Sequence, residues 1–151
     1  MLEFHRTTEE EKYEICDWRY EGEYAVYNNP PYEDQLKDNR GFADPENCFY
    51  SFYDGDVLEG FINLLEEERE VFLGIGVAPD CCDKGYGQQM CRMACDLSKQ
   101  IFAGKPIYLE VRTWNTRAVR CYEKAGFRIV GDPIIQTTRI GTGEFYHMEV
   151  K

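Results

Sequence analysis

The stretch VFLGIGV at positions 71–77, followed by PDCCDKGYG at positions 79–87, decides how this chain folds. The first segment is continuously apolar, which predicts a strand, and its two glycines indicate a bulge or a close approach by another group. Beyond the loop, apolar residues recur at helical spacing from Met90 to Ile101, which predicts a helix over residues 85–102. Glycines in such a strand-loop-helix unit place backbone N–H groups at a helix N-terminus, where a phosphate can bind.

A further strand and helix, followed by two strands, are predicted in the second half of the chain. Residues 107–112 alternate apolar and polar side chains, which predicts a strand. Apolar residues at helical spacing between Ala118 and Ala125 predict a helix that ends at Gly126. Two final strands are predicted at residues 127–131 and 144–150.

The first half supplies the remaining elements. Residues 2–6 alternate as a short strand, and a capping-box pattern from Thr8 to Glu11 begins a helix that we expect to run to about residue 20. A loop with aromatic walls at residues 20–31 and a short helix at residues 33–40 follow.

A β-hairpin is predicted at residues 48–65, around a turn at residues 54–56. We therefore predict one α/β domain, more strictly α+β, over residues 1–151, in the order β-α-α-β-β-β-α-β-α-β-β. Its central sheet is mixed and mostly antiparallel, with six to seven strands and helices on both faces.

Composition excludes several classes of function. A net charge of -11 argues against binding the nucleic-acid backbone, and no apolar run approaches the roughly 20 residues that span a bilayer. Seven cysteines are an odd number without a Cys-x-x-Cys pair, so we expect reduced thiols, no metal site and a cytoplasmic location. The acidic surface either attracts a cationic amine or serves solubility alone.

The later motif is the more specific one: LEVR at positions 109–112, then Asn115, Tyr122 and the pair Gly126-Phe127. Together with the loop, this pattern resembles the GCN5-related N-acetyltransferase (GNAT) family, whose loop pattern Gln/Arg-x-x-Gly-x-Gly/Ala maps onto residues 82–87. The resemblance implies acetyl-coenzyme A as co-substrate. It implies cofactor contacts at Ile75, Val77, Cys82, Asp83, Lys84, Gly85, Tyr86, Gly87, Gln88 and Asn115.

The chain departs from the family at Cys82, where Gln or Arg is usual, and at the acidic Asp83 that follows. We expect weaker cofactor binding rather than its loss, because backbone amides do most of the binding in such a loop and Lys84 restores one positive charge.

Two residues are candidates for catalysis. The region is similar to ribosomal-protein N-terminal acetyltransferases, in which the glutamate matching Glu110 serves as the base, and the resemblance makes Tyr122 the acid for the departing thiolate. A backbone N–H of a bulged strand near Val77 would hold the oxyanion. Alternatively, Glu110 only pairs with Arg112 or Arg117.

These features predict an N-acetyltransferase acting on a primary amine by direct attack on the thioester. A non-catalytic acyl-coenzyme A sensor or scaffold of the same fold is the alternative, and a redox role for Cys81 and Cys82 lacks a supporting motif. No motif selects the acceptor among small amines, polyamines, aminoglycosides and protein N-termini. Association as a homodimer also stays open.

Overall fold

The computed structural model describes residues 1–82 and 84–150 of the chain. Within these residues, eight strands and four α-helices are joined by short 3-10 helices, of which Gly22–Tyr27 is the longest. The elements are β1 (Leu2–Arg6), α1 (Glu9–Cys16), α2 (Tyr32–Asp38), β2 (Phe49–Asp54), β3 (Val57–Glu66), β4 (Val71–Val77), α3 (Tyr86–Ile101), β5 (Ile107–Arg112), α4 (Thr116–Lys124), β6 (Phe127–Ile129), β7 (Ile134–Thr138) and β8 (Gly141–Val150).

The predicted fold class is confirmed. The strands form one sheet in the order β1-β2-β3-β4-β5-β8-β6, with β7 paired to β8 beside β6. Strands β4 and β5 run parallel, whereas the other pairs among the described residues are antiparallel. The sheet has eight strands rather than six to seven, because residues Ile134–Thr138 form a hairpin with β8 that the sequence did not predict.

Helices cover both faces of the sheet, as predicted. On one face, α3 packs Met90, Cys91 and Ala94 against Ile62 and the neighbouring strands. On the other face, α1 and α2 pack against β2 and β3. In the part of the chain that the structure describes, no helix is both long and apolar enough to span a bilayer.

The predicted bulge in β4 is wrong, because β4 pairs with β3 in unbroken register from Val71 to Val77. The bulge lies instead where β3 meets β2, between Phe52 and Tyr53. The alternative explanation of the glycines holds for Gly76, where an added Cβ would collide with the ring of Phe61. Gly76 is therefore glycine because an aromatic ring lies directly against its backbone.

Strands β4 and β5 separate soon after they meet. Their pairing is confined to Val71 with Ile107 and Phe72 with Tyr108. Beyond these pairs, β4 stays with β3 and β5 stays with β8, so a wedge opens in the middle of the sheet. This wedge positions the candidate site.

Candidate active site

A cleft of about 730 Å³ occupies the wedge between β4 and β5. Its walls come from β4 and β5, from the first turn of α3 and from α4. The segment around the 3-10 helix Gly22–Tyr27 covers one side, and Arg139 and Phe145 of the β7–β8 hairpin complete the wall.

The backbone of β4 offers hydrogen-bonding groups to the cleft. The N–H of Ala78 binds the carbonyl of Glu59 in β3 at 2.8 Å, whereas the N–H of Val71 binds Pro106 on the other side at 2.9 Å. Because successive residues of a strand alternate, the backbone groups of Ile75 and Val77 face away from β3 into the wedge. These groups suit an extended amide-containing chain, which can add to β4 as a further strand would.

The first turn of α3 lies at the same end of the cleft. Gly85 has a φ of +83° at the helix N-cap, a left-handed conformation that favours glycine. At Gly87, an added Cβ would lie 3.0 Å from the Sγ of Cys121 and 3.6 Å from Val77, so its small size lets α3 approach α4 and β4. The N–H groups of this first turn have no partner within the helix and can bind phosphate oxygens.

Eight of the ten predicted cofactor contacts line the cleft: Ile75, Val77, Cys82, Gly85, Tyr86, Gly87, Gln88 and Asn115. Lys84 is exposed and is not part of the wall, so the prediction that its charge serves the site lacks support in this geometry. Asp83 lies outside the described residues. The thiol of Cys82 lies 3.5 Å from the carbonyl oxygen of Ala78.

The two candidate catalytic residues line the same cleft. Glu110 lies on the face of β5 opposite the buried Leu109 and Val111, as the alternation predicts. Its carboxylate accepts a hydrogen bond of 2.7 Å from the side-chain amide of Gln136 in β7. The alternative partner Arg112 instead packs over the ring of Phe145, at 4.8 Å from the ring centre. The other alternative partner, Arg117, packs over the ring of Tyr24 at 4.3 Å.

Tyr122 projects from α4 into the cleft, with its ring edge-on to Phe127. Burial, with a smaller contribution from the nearby thiols of Cys91 and Cys121, raises the pKa of Tyr122 well above its ordinary value of 10. The hydroxyl therefore carries its proton at neutral pH and can donate a hydrogen bond.

Asn115 has a structural role as well as a place in the wall. Its side-chain oxygen accepts the N–H of Ala118 at 3.2 Å and so caps α4, while its amide donates to the hydroxyl of Tyr27 at 3.0 Å. Both contacts hold the end of α4 against the segment that covers the cleft.

The sequence did not predict the contacts that hold this covering segment in place. The hydroxyl of Tyr20 donates to the carbonyl of Val77 at 2.6 Å, and Arg139 donates to the carbonyl of Asn28 at 2.8 Å. The aromatic loop was predicted, but its contact with β4 was not. Gln136 and Arg139 were missed because their hairpin was missed, although the β-branched run before the turn was a signal for a strand.

The cleft is cationic although the whole chain is acidic. Among its described lining residues, Glu110 is the one carboxylate. The basic residues in the wall are Arg112, Arg117, Arg120, Lys124 and Arg139. A concave site with this excess of positive charge favours an anionic ligand such as a phosphorylated cofactor.

Comparison with known proteins agrees with this geometry. Residues 12–127 match the sequence profile of the acetyltransferase (GNAT) family. The chain belongs to this family. It is also 33% identical over 99 residues to the N-alpha-acetyltransferase RimI of Mycobacterium tuberculosis (strain ATCC 25618 / H37Rv), a match that covers 62% of this chain. The match spans 60% of the length of RimI.

Solved structures of the same fold include spermidine N-acetyltransferases. A chimera of the spermidine N-acetyltransferase SpeG from Vibrio cholerae and hSSAT superposes with a TM-score of 0.79, over 99% of this chain and 94% of that one, at 22% identity. SpeG from Vibrio cholerae in complex with CoA and spermine gives a TM-score of 0.73 at 21% identity, with the same coverage. At this identity the likeness establishes the fold.

Proposed function

We propose that this protein is an N-acetyltransferase that moves an acetyl group from acetyl-coenzyme A to a primary amine. The observation that carries the proposal is the wedge between β4 and β5, which joins backbone groups of β4 that face away from β3, a helix N-terminus and a carboxylate in one cleft. Ile75 and Val77 would bind the amide-containing arm of the cofactor, and the first turn of α3 would bind its pyrophosphate. When bound, the cofactor supplies an activated thioester.

Glu110 would act as the base. An amine of lysine type has a pKa near 10.4 and is protonated at neutral pH, so a proton must leave before nitrogen can attack. The hydrogen bond from Gln136 fixes one carboxylate oxygen of Glu110 and leaves the other able to accept that proton.

Tyr122 would act on the leaving group. As the new C–N bond forms and the C–S bond breaks, negative charge collects on sulfur, and a thiol of ordinary pKa near 8.5 is formed by taking up a proton. The raised pKa of Tyr122 keeps its hydroxyl protonated at neutral pH, so the hydroxyl would stabilise the negative charge on this sulfur by donating a hydrogen bond.

Release of free thiol from acetyl-coenzyme A in the presence of amines tests the proposal. We expect Glu110→Gln to lower kcat by about 10²- to 10⁴-fold, the usual contribution of a general base. The amide oxygen of the variant still accepts from Gln136, so the local structure should persist. We expect Tyr122→Phe to lower kcat as well, with coenzyme A binding retained in calorimetry.

Matched controls are Glu123→Gln, an exposed carboxylate of α4, and Tyr13→Phe, an exposed tyrosine of α1. Both should leave the rate unchanged. Binding of the cofactor without turnover by any amine would favour the sensor or scaffold function instead. Full rates in Glu110→Gln and Tyr122→Phe would refute the roles assigned here.

We further propose a cytoplasmic location, supported by the odd number of cysteines without a paired motif. Whether the chain forms a homodimer is a question for light scattering of the purified protein.

A further inference from the structure

A second cavity of about 340 Å³ adjoins the cleft and shares Asn29, Phe61 and Arg139 with it. Its apolar wall contains Phe42 and Phe49, which stack at 4.1 Å between ring centres. The shared residues place this cavity on the side of the cleft that the 3-10 segment covers, away from the first turn of α3. It therefore extends the acceptor side of the proposed active site.

The charged residues of this cavity are both cationic. Arg40 and Arg139 are its charged lining residues within the described part of the chain. The one buried amide there, Gln35, is occupied on both sides: its oxygen accepts the N–H of Phe42 and its nitrogen donates to Pro30. An aromatic cavity with two guanidinium groups repels a cationic ligand and favours an anionic one.

The two guanidinium groups also carry more N–H donors than the contacts named below use. Each carries five N–H groups. Among the described residues, Arg139 donates one to the carbonyl of Asn28, and Arg40 uses its Nε with Asp38, an exposed pair. Burial, together with the positive charge of Arg40, lowers the pKa of Arg139. A carboxylate bound between the two groups would offset this repulsion and accept two hydrogen bonds in the geometry that guanidinium favours.

The hairpin sets the distance between this pair and the proposed base. Gln136, which donates a hydrogen bond to Glu110, precedes Arg139 by three residues, and Arg139 lies in the turn after β7, so their Cα atoms are at most about 10 Å apart. An extended peptide covers the same length in about three residues. The acceptor amine and the anion would then lie within one short peptide.

From this arrangement we propose that the acceptor is the N-terminal amine of a peptide with a carboxylate side chain near its third residue, bound by Arg40 and Arg139. The inference rests on the proposed acetyl transfer and names its acceptor. It differs from a polyamine acceptor, whose cationic chain would meet two guanidinium groups. The net charge of -11 does not oppose it strongly, because charges farther than about 8 Å are screened at physiological ionic strength.

The test compares the amidated peptides Ala-Ala-Asp-Ala, Ala-Ala-Asn-Ala and Ala-Ala-Lys-Ala, and spermidine, as acceptors in the thiol-release assay. We expect kcat/KM for the Asp peptide to exceed that for the Asn peptide about tenfold or more, the effect of one charge-assisted contact. Arg40→Gln, outside the cleft wall, should reduce this ratio and leave the rate with the Asn peptide unchanged, and Arg139→Gln should reduce the ratio as well. Arg128→Gln, at an exposed position of β6, should alter neither.

The outcomes separate this inference from the proposed function. Acetylation with an Asp-to-Asn ratio near one, or with spermidine or the Lys peptide preferred, would overturn the acidic acceptor and leave acetyl transfer supported. If no acceptor is turned over, the proposed function fails. Fluorescence anisotropy of the Asp and Lys peptides, each labelled at its C-terminus, then measures their affinities and tests the anion site without catalysis. Equal affinity for the Asp and Lys peptides would overturn it.

Discussion

Replacing Glu11 by Gln should destabilise the protein strongly at neutral pH. Glu11 in α1 is buried, with 7% of its surface exposed. Burial alone would raise the pKa of its carboxyl, but hydrogen bonds from the Tyr53 hydroxyl, the Thr8 N–H, His5 and Ser51 outweigh burial and lower the pKa from 4.5 to about 2. These bonds tie α1 to β1 and β2, on the face opposite α3.

The lowered pKa of Glu11 sets the size of the expected loss in the free energy of unfolding. At about 1.4 kcal/mol for each tenfold change in the proton equilibrium, the ionised carboxylate stabilises the fold by about 3 kcal/mol. Because the pKa is lower in the folded protein, this stabilisation is present in full above about pH 4.5 and is lost as the pH falls toward 2. Glu11→Gln should therefore cost about 3 kcal/mol at pH 7 and much less near pH 2.

Urea unfolding at a series of pH values measures both effects. The matched control is Glu10→Gln, at an exposed neighbouring position of α1, which should change the free energy of unfolding by less than about 0.5 kcal/mol. Equal losses in the two variants at pH 7, or a loss in Glu11→Gln that does not shrink as the pH falls, would refute the reasoning.

Three further changes probe the cleft. Gly87→Ala should weaken coenzyme A binding in calorimetry, because its Cβ meets the Sγ of Cys121 at 3.0 Å, and adding Cys121→Ala should restore it; no restoration would contradict this origin. Asn115→Ala should lower the free energy of unfolding by about 1 kcal/mol through the lost cap, whereas Asn115→Asp, which keeps the acceptor oxygen, should not. Tyr20→Phe should cost about 1 kcal/mol in thermal unfolding, since the carbonyl of Val77 loses its donor; an unchanged Tm would speak against that contact.

The elements that frame the cleft were predictable because their signals are local. The limits of β4 and β5 match the predicted limits, and α3 and α4 begin and end within about two residues of theirs. A strand or helix that buries one face repeats apolar residues at its own period, and this repeat is visible in a single sequence. The loop before α3 and the order of both motifs also pointed to the GNAT family, which the family match supports.

Strand β7 was missed because its local sequence pattern is weak. Its sequence, Ile-Ile-Gln-Thr-Thr, has no alternation of apolar and polar residues, and Ile134 and Ile135 are exposed at the edge of the sheet. Without a buried face to impose a period of two, the β-branched composition of the strand is its main local signal, and composition alone does not define a strand's limits. Gln136, which donates a hydrogen bond to the proposed base Glu110, was missed for the same reason.

The contacts that hold the covering segment over the cleft depend on tertiary structure alone. Tyr20 contacts Val77 across 57 residues of sequence, and Arg139 contacts Asn28 across 111. Contacts at such separations depend on how the sheet brings distant segments together and leave no spacing that a sequence pattern could display. The sequence by itself therefore determined the family and the frame of the cofactor cleft. Only the tertiary structure placed Tyr20 and Arg139 along the cleft, since it joins chain segments that share no local pattern.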